Sequence, residues 1–111
     1  MALPKENRLT TKKEIDNVFK HGRTVKGSSL FIRFLDNQGQ NSYSRFAFFI
    51  SSKYIPLAVD RNNLKRMFSQ EIMSLSMLKR GYDVVVVIFK KADRKGFENL
   101  VEELSDLLSK V

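Results

Sequence analysis

Apolar positions along the chain switch between helical and extended periods. In LTTKKEIDNVFKHG, Ile15, Val18 and Phe19 share one helical face, Thr11 followed by Glu14 fits a capping box, and Gly22 supplies a stop. In SSLFIRFLDN (Ser28–Asn37), Leu30, Ile32 and Phe34 alternate with Phe31, Arg33 and Leu35, which predicts a strand with Arg33 on its less buried face. SRFAFFIS (Ser44–Ser51) reads as a second strand, and the turn DNQGQNS before it predicts a hairpin. Pro56 blocks a helix in KYIPLAV. From about Asp60 to Leu78, the spacing of Leu64, Met67, Phe68, Ile72 and Leu75 is helical. Gly81-Tyr82-Asp83 is a turn, and the continuous β-branched run VVVVIF (Val84–Phe89) predicts a central strand buried on both faces. Phe97, Leu100, Val101, Leu104, Leu107 and Leu108 predict a last helix, from about Lys95 to Leu108, with an acidic solvated face.

The order is α, β, β, α, β, α. A strand, a helix and a further strand form a crossover unit beside the hairpin, and the whole reads as a small α/β sandwich with one sheet. No repeat, linker or low-complexity segment divides the 111 residues, so 1–111 is expected to be a single domain.

Charge changes the picture. The net charge is +8, unevenly distributed. Residues 96–111 set Lys110 against Glu98, Glu102, Glu103 and Asp106, a net of −3, so residues 1–95 carry +11. Such a field favours polyanions and points to a nucleic-acid partner. The chain has no Cys, which excludes disulfides, thiolate metal sites and cysteine nucleophiles. MALPKENR lacks the apolar run of a signal peptide, and VVVVIF is too short to span a bilayer. A soluble cytoplasmic protein with no membrane partner is expected.

The charge concentrates in AVDRNNLKRMFSQEI (Ala58–Ile72). At 100° per residue, Arg61, Lys65, Ser69, Asn62 and Arg66 span about 140° of the helix circumference, and the apolar residues fall opposite. These cations sit near the helix N-terminus, where the macrodipole disfavours them and where anions bind well. A phosphate among them resolves that conflict. Asp60 is placed to cap the helix and relieve part of the repulsion.

RNNLKR resembles the RNR motif of the bacterial ribonuclease P protein family, whose usual form is RNRxKR. The flanking text agrees: AV before the motif, Ser52-Lys53 upstream, NRLTTKKEIDNVFKHGR at the start and GYDVVVVIFKKA late in the chain. The likeness runs from Asn7 to about Leu108. It implies a single-domain, two-layer α/β sandwich with one mixed sheet of about four strands, helices packed on it and a left-handed βαβ crossover around the motif helix.

It also implies a function. In this family a large RNA carries the active site and removes the 5′ leader of precursor tRNA using Mg²⁺, which the RNA mainly holds. The protein contributes no catalytic and no metal-binding residue. Its partners are the ribonuclease P RNA and precursor tRNA, with no further protein required. By position, Arg61, Asn62, Lys65, Arg66 and Lys53 would contact the catalytic RNA. Phe19, Arg33 and Lys90 would line a cleft for the leader, where an aromatic ring can stack on an unpaired base. The chain departs from the family pattern at several positions. Asn63 and Ser69 replace motif arginines, Pro56-Leu57 replaces Gly-Asn, Ile15 stands for a cleft Phe, and Arg33 stands for a Tyr.

Other readings are weaker. A stand-alone nuclease needs acid–base groups or a metal cluster, and the chain offers one histidine, His21, and a row of acids along one helix face. A DNA-binding helix would enter the major groove, but the far end of this one is apolar and Met-rich. A structural RNA-binding protein of the ribosomal kind fits size, charge and fold. It would not restore precursor-tRNA cleavage to a ribonuclease P RNA.

Overall fold

The computed structural model describes residues 3–37, 43–75 and 81–111. Its elements are α1 (Lys12–His21), β1 (Arg23–Lys26), β2 (Leu30–Asp36), β3 (Arg45–Phe49), α2 (Ala58–Ser74), β4 (Tyr82–Ile88) and α3 (Phe97–Leu108). One four-stranded sheet runs β1-β2-β4-β3. β4 pairs antiparallel with β2 and parallel with β3, so β3, α2 and β4 form the expected crossover. The turn expected across 36–42 and the end of the motif helix at Leu78 lie partly or wholly outside the described residues.

The predicted hairpin between Ser28–Asn37 and Ser44–Ser51 is corrected. β2 and β3 are not neighbours, because β4 lies between them. The physical reason is in β4 itself. Val84, Val85 and Val86 are fully buried, and a strand that apolar on both faces belongs in the centre of a sheet. The hairpin partner of β2 is β1, with Val25 opposite Ile32. Its four residues, RTVK, offer one apolar side chain, too few to register as an alternating pattern.

The main core lies between the sheet and α2 and α3. Leu30, Ile32, Val84, Val86 and Ile88 from the sheet meet Leu64, Phe68 and Ile72 from α2 and Leu100, Leu104 and Leu108 from α3. The alternate residues point the other way. Val85 and Ala47 meet Val18 of α1 and Leu9, with Ile15 and Phe19 at the margin. The expected sandwich of sheet and helices is present, and α1 adds a thinner cover on the second face.

Charged side chains fix the helices to the sheet. Thr11 is the N-cap of α1, as expected, but its hydroxyl donates to the Glu14 carboxylate rather than completing a capping box with the backbone. Glu14 in turn pairs with Arg45, whose Nε and Nη2 fork onto the Asp83 carboxylate at 3.0 and 2.8 Å. The Thr11 hydroxyl, against some burial and with help from Arg45, holds the Glu14 carboxyl below its ordinary range. Gly22 ends α1 with extended backbone rather than in the left-handed region. A Cβ there would collide with the carbonyl oxygens of Val18 and Phe34, which is why the position is glycine. Gly81, at φ 75°, does occupy the left-handed region as the chain enters β4.

Glu103 of α3 reaches the turn between β1 and β2. It accepts from the Ser28 hydroxyl at 2.6 Å and from the backbone N–H groups of Ser29 and Leu30 at 3.0 and 2.8 Å. Burial pushes this carboxyl up, but the Ser28 hydroxyl and the backbone donors outweigh it and hold it below the ordinary range. A native pKa below the unfolded one gives stability that is complete above the carboxylate range and is lost as pH falls through it. Urea unfolding from pH 7 downward should therefore show an acid limb. Glu103→Gln should cost about 1–2 kcal/mol at pH 7 and flatten that limb. A variant with an unchanged limb would show that Glu103 is not its source.

Candidate nucleic-acid interface

α2 begins at Ala58 with Leu57 as its N-cap, so Asp60 is not the cap. Asp60 instead accepts from Arg94 Nε at 2.6 Å, an ion pair across to the turn before α3. It still stands in the first turn, where a carboxylate favours the helix dipole. Leu64, Phe68 and Ile72 turn into the core and leave Asn62, Lys65 and Arg66 exposed on the other side. Ser69, expected on the polar face, is buried. Its hydroxyl donates to the Lys65 carbonyl one turn back.

Those exposed residues form one wall of a cleft of about 540 Å³. Asn62, Lys65, Arg66 and Ser69 of α2 face Arg8, Leu9 and Ile15, and Phe46 to Phe49 of the edge strand β3 form the floor. The N-terminal segment helps to shape it, because the Leu9 N–H donates to the Phe46 carbonyl at 2.9 Å along that edge. The cleft is apolar below, with Lys65 and Arg66 on one wall and Arg8 on the other. Among the described residues, Lys65 and Arg66 have no ion-pair partner. An extended polyanion with apolar faces, which is what a single strand of RNA is, matches this lining.

The other expected residues divide. Arg61 donates from Nη1 to the carbonyls of Ile55 and Pro56, which ties the preceding loop to α2. Lys53 lines a separate hollow with Tyr54, Pro56 and Lys91, its Nζ 5.5 Å from the Tyr54 ring centroid. Lys90 is exposed just beyond β4. Phe19 is partly buried on α1 and stacks on Phe49. Arg33 has a structural task. Its Nη2 donates to the carbonyls of Phe19 and Gly22 at 2.6 and 2.8 Å, and its Nη1 donates to the Thr24 hydroxyl at 2.6 Å. A guanidinium on the last carbonyls of a helix is favoured by both hydrogen bonding and the dipole.

The sequence pattern of the Ribonuclease P family matches residues 3–111. The ribonuclease P protein component of a Pseudanabaena strain is 30% identical over 109 residues, covering 97% of this chain and 93% of that one. Its counterpart from Synechocystis is 32% identical over 110 residues, covering 98% and 88%. The chain belongs to the ribonuclease P protein family. Two solved structures carry the same fold. The RNase P protein of Staphylococcus aureus superposes with a TM-score of 0.81 at 18% identity, covering 94% of each chain. That of Thermotoga maritima superposes at 0.75 with 25% identity, covering 94% of this chain and 96% of that one.

As a ribonuclease P protein, the chain is a subunit of an endoribonuclease of tRNA processing and works with the ribonuclease P RNA. Among the described residues, no group of three His, Asp or Glu side chains could hold a metal ion, and no helix is long and apolar enough to cross a membrane. Family resemblance did not point to Phe49 or Arg8, which also line the cleft. The strand pattern held a signal for the first. Alternation in SRFAFFIS sets Phe49 on the face of Ala47, away from the main core, where a phenylalanine at a strand end needs another reason to be there.

The Arg33 clamp is testable. Arg33→Met keeps much of the volume and removes the donors to α1. It should lower stability by about 1–2 kcal/mol and speed amide exchange in the last turn of α1. Unchanged melting and exchange would show that the guanidinium does not hold the helix.

Proposed function

We propose that the cleft between α1, β3 and α2 holds the single-stranded 5′ leader of precursor tRNA, and that the charged stretch of α2 at its rim docks the catalytic RNA. The observation that carries this is the shared lining. Asn62, Lys65 and Arg66, from the motif that resembles the family's RNA-docking helix, stand in the same cleft as Ile15 and Phe49. Phosphates would meet Lys65 and Arg66, and bases would meet the apolar floor. Lys53 and Lys90 extend the positive field around this surface, while Arg33 supports it from below by holding α1.

On this reading the protein acts by binding. It aligns leader and catalytic RNA and lowers their mutual repulsion, and the bond-breaking groups belong to the RNA. Mg²⁺ belongs on the RNA side as well on this reading, with the charges that cage a hard cation supplied by RNA phosphates. No further protein is needed, and work on tRNA precursors places the subunit in the cytoplasm.

The test is reconstitution. Mixed with a bacterial ribonuclease P RNA at low Mg²⁺, the protein should accelerate 5′ cleavage of precursor tRNA. Lys65→Ala with Arg66→Ala should weaken binding of leader-bearing substrate and reduce the slope of log affinity against log salt by about 1.4, the share of two single-strand phosphate contacts. Binding of RNA without any stimulation of cleavage would sink the reading and leave a structural RNA-binding domain.

A further inference from the structure

Around α2, at 100° per residue, Asn63 lies about 60° from Arg66 on one side and about 60° from Asp60 on the other. Asn63 stands where the family motif has an arginine, so this flank of the helix lacks a cation that the motif would put there. The structure brings one from elsewhere. Arg94, in the turn before α3, donates from Nε to Asp60 Oδ1 at 2.6 Å. Asp60 and Asn63 are three residues apart in α2, and side chains at that spacing are neighbours on a helix surface. The Arg94 guanidinium therefore stands beside the turn of α2 that carries Asn63.

The two members of the pair differ in exposure. The Asp60 side chain is 13% exposed and the Arg94 side chain 65%, so the carboxylate sits inside and the cation outside. Only Nε of the guanidinium is used. Among the described residues, Nη1 and Nη2 of Arg94 have no partner. A guanidinium held through one edge keeps another free, and that edge matches two oxygens of a phosphate. An ion pair this exposed adds little to folding stability, but it restricts a long side chain that would otherwise sample many rotamers. Restriction before binding is what pre-organises a group for its ligand.

The surroundings are cationic. Arg94 belongs to KKADRK (90–95), in which Lys90, Lys91 and Lys95 are also exposed. Lys91 and Lys53 line one hollow with Pro56, which stands two residues before α2. The acids in that hollow are occupied. Asp93 accepts from the Gly96 N–H at 3.3 Å, and Glu103 accepts from Ser28, Ser29 and Leu30. A positive surface thus continues from the exposed face of α2 onto the segment between β4 and α3.

We propose that Arg94 belongs to the surface that docks the catalytic RNA, standing in on this flank for the arginine absent at Asn63, and that Asp60 is its positioning residue. The proposal rests on docking of that RNA by α2 and adds to it a cation from outside the motif helix.

Binding of the full chain to a bacterial ribonuclease P RNA, without tRNA, tests this at a temperature where circular dichroism shows every variant folded. Arg94→Gln should weaken binding about fivefold and lower the slope of log affinity against log salt by about 1. Asp60→Asn decides the positioning. Charge alone predicts tighter binding, because a negative group beside the RNA is lost. Positioning predicts binding weaker by about threefold, with no further loss when Asp60→Asn is added to Arg94→Gln. Asn63→Arg added to Arg94→Gln should restore the affinity, and failure to do so overturns the replacement. Full affinity of Arg94→Gln overturns the proposal, and tighter binding by Asp60→Asn overturns the role of Asp60. Lys65→Ala with Arg66→Ala separates this from the reading beneath it. Unchanged binding by that variant refutes docking through α2. Weak binding by it beside full binding by Arg94→Gln refutes the Arg94 proposal alone.

Discussion

Val84, Val85 and Val86 have no exposed surface, and β4 is paired along both edges. Its side chains alternate between two cores that do not touch each other. Val84, Val86 and Ile88 need α2 and α3, while Val85 and Val87 need α1. Burying each valine is worth about 1.5–3 kcal/mol, so both faces must be covered for the strand to stay central. That requirement places α1 and α2 on opposite sides of the sheet. Where the two diverge past the edge strand β3, a cleft opens between them. The candidate interface is thus a consequence of how β4 is buried, with α2 and the start of α1 on its two sides.

The basic residues sort by whether the fold uses them. Arg45 is held between Asp83 and Glu14, Arg94 pairs with Asp60, and Arg33 and Arg61 donate to backbone carbonyls. All four are arginines, whose fixed fork satisfies two acceptors at once. The exposed members of the interface, Lys65, Lys90 and Lys53 with Arg66, are mostly lysines. A lysine is a point charge on a flexible stem, suited to phosphates whose positions vary from one RNA to the next. The fold therefore uses Arg33, Arg45, Arg61 and Arg94 for architecture and leaves Lys53, Lys65, Lys90 and Arg66 exposed.

Much of this was legible because period and burial agree. The run Val84–Phe89 announced a two-sided strand, and the apolar face of the helix after Pro56 announced which side carries the charge. Pairing was less legible. β2 and β3, successive in the reading of the sequence, looked like a hairpin, and the need of β4 for two neighbours separates them. β1 left almost no trace, since one valine in four residues is no pattern. Within the interface, position in a motif says which residues are charged but not what they touch. Arg33 and Arg61 read as ligands for RNA until their donors are followed to carbonyls. Phe49 was invisible for the opposite reason: an aromatic in a strand reads as core unless the face it shares with Ala47 is traced across the sheet.

Across the face of the sheet that carries α1 runs a row of paired positions, Lys26, Phe31, Val87 and Phe49, and it exists because α1 is short. Ten residues make a helix of about 15 Å, too little to shelter one whole face of a sheet whose longer strands run seven residues. Val18 and Ile15 shelter Val85 and Ala47, and the next row falls at the helix margin. A purely structural solution would make that row polar, since exposed apolar patches invite aggregation. The chain has phenylalanine at Phe31, Phe49 and Phe89 instead. It limits the exposure by stacking the rings in pairs and setting a lysine on one of them.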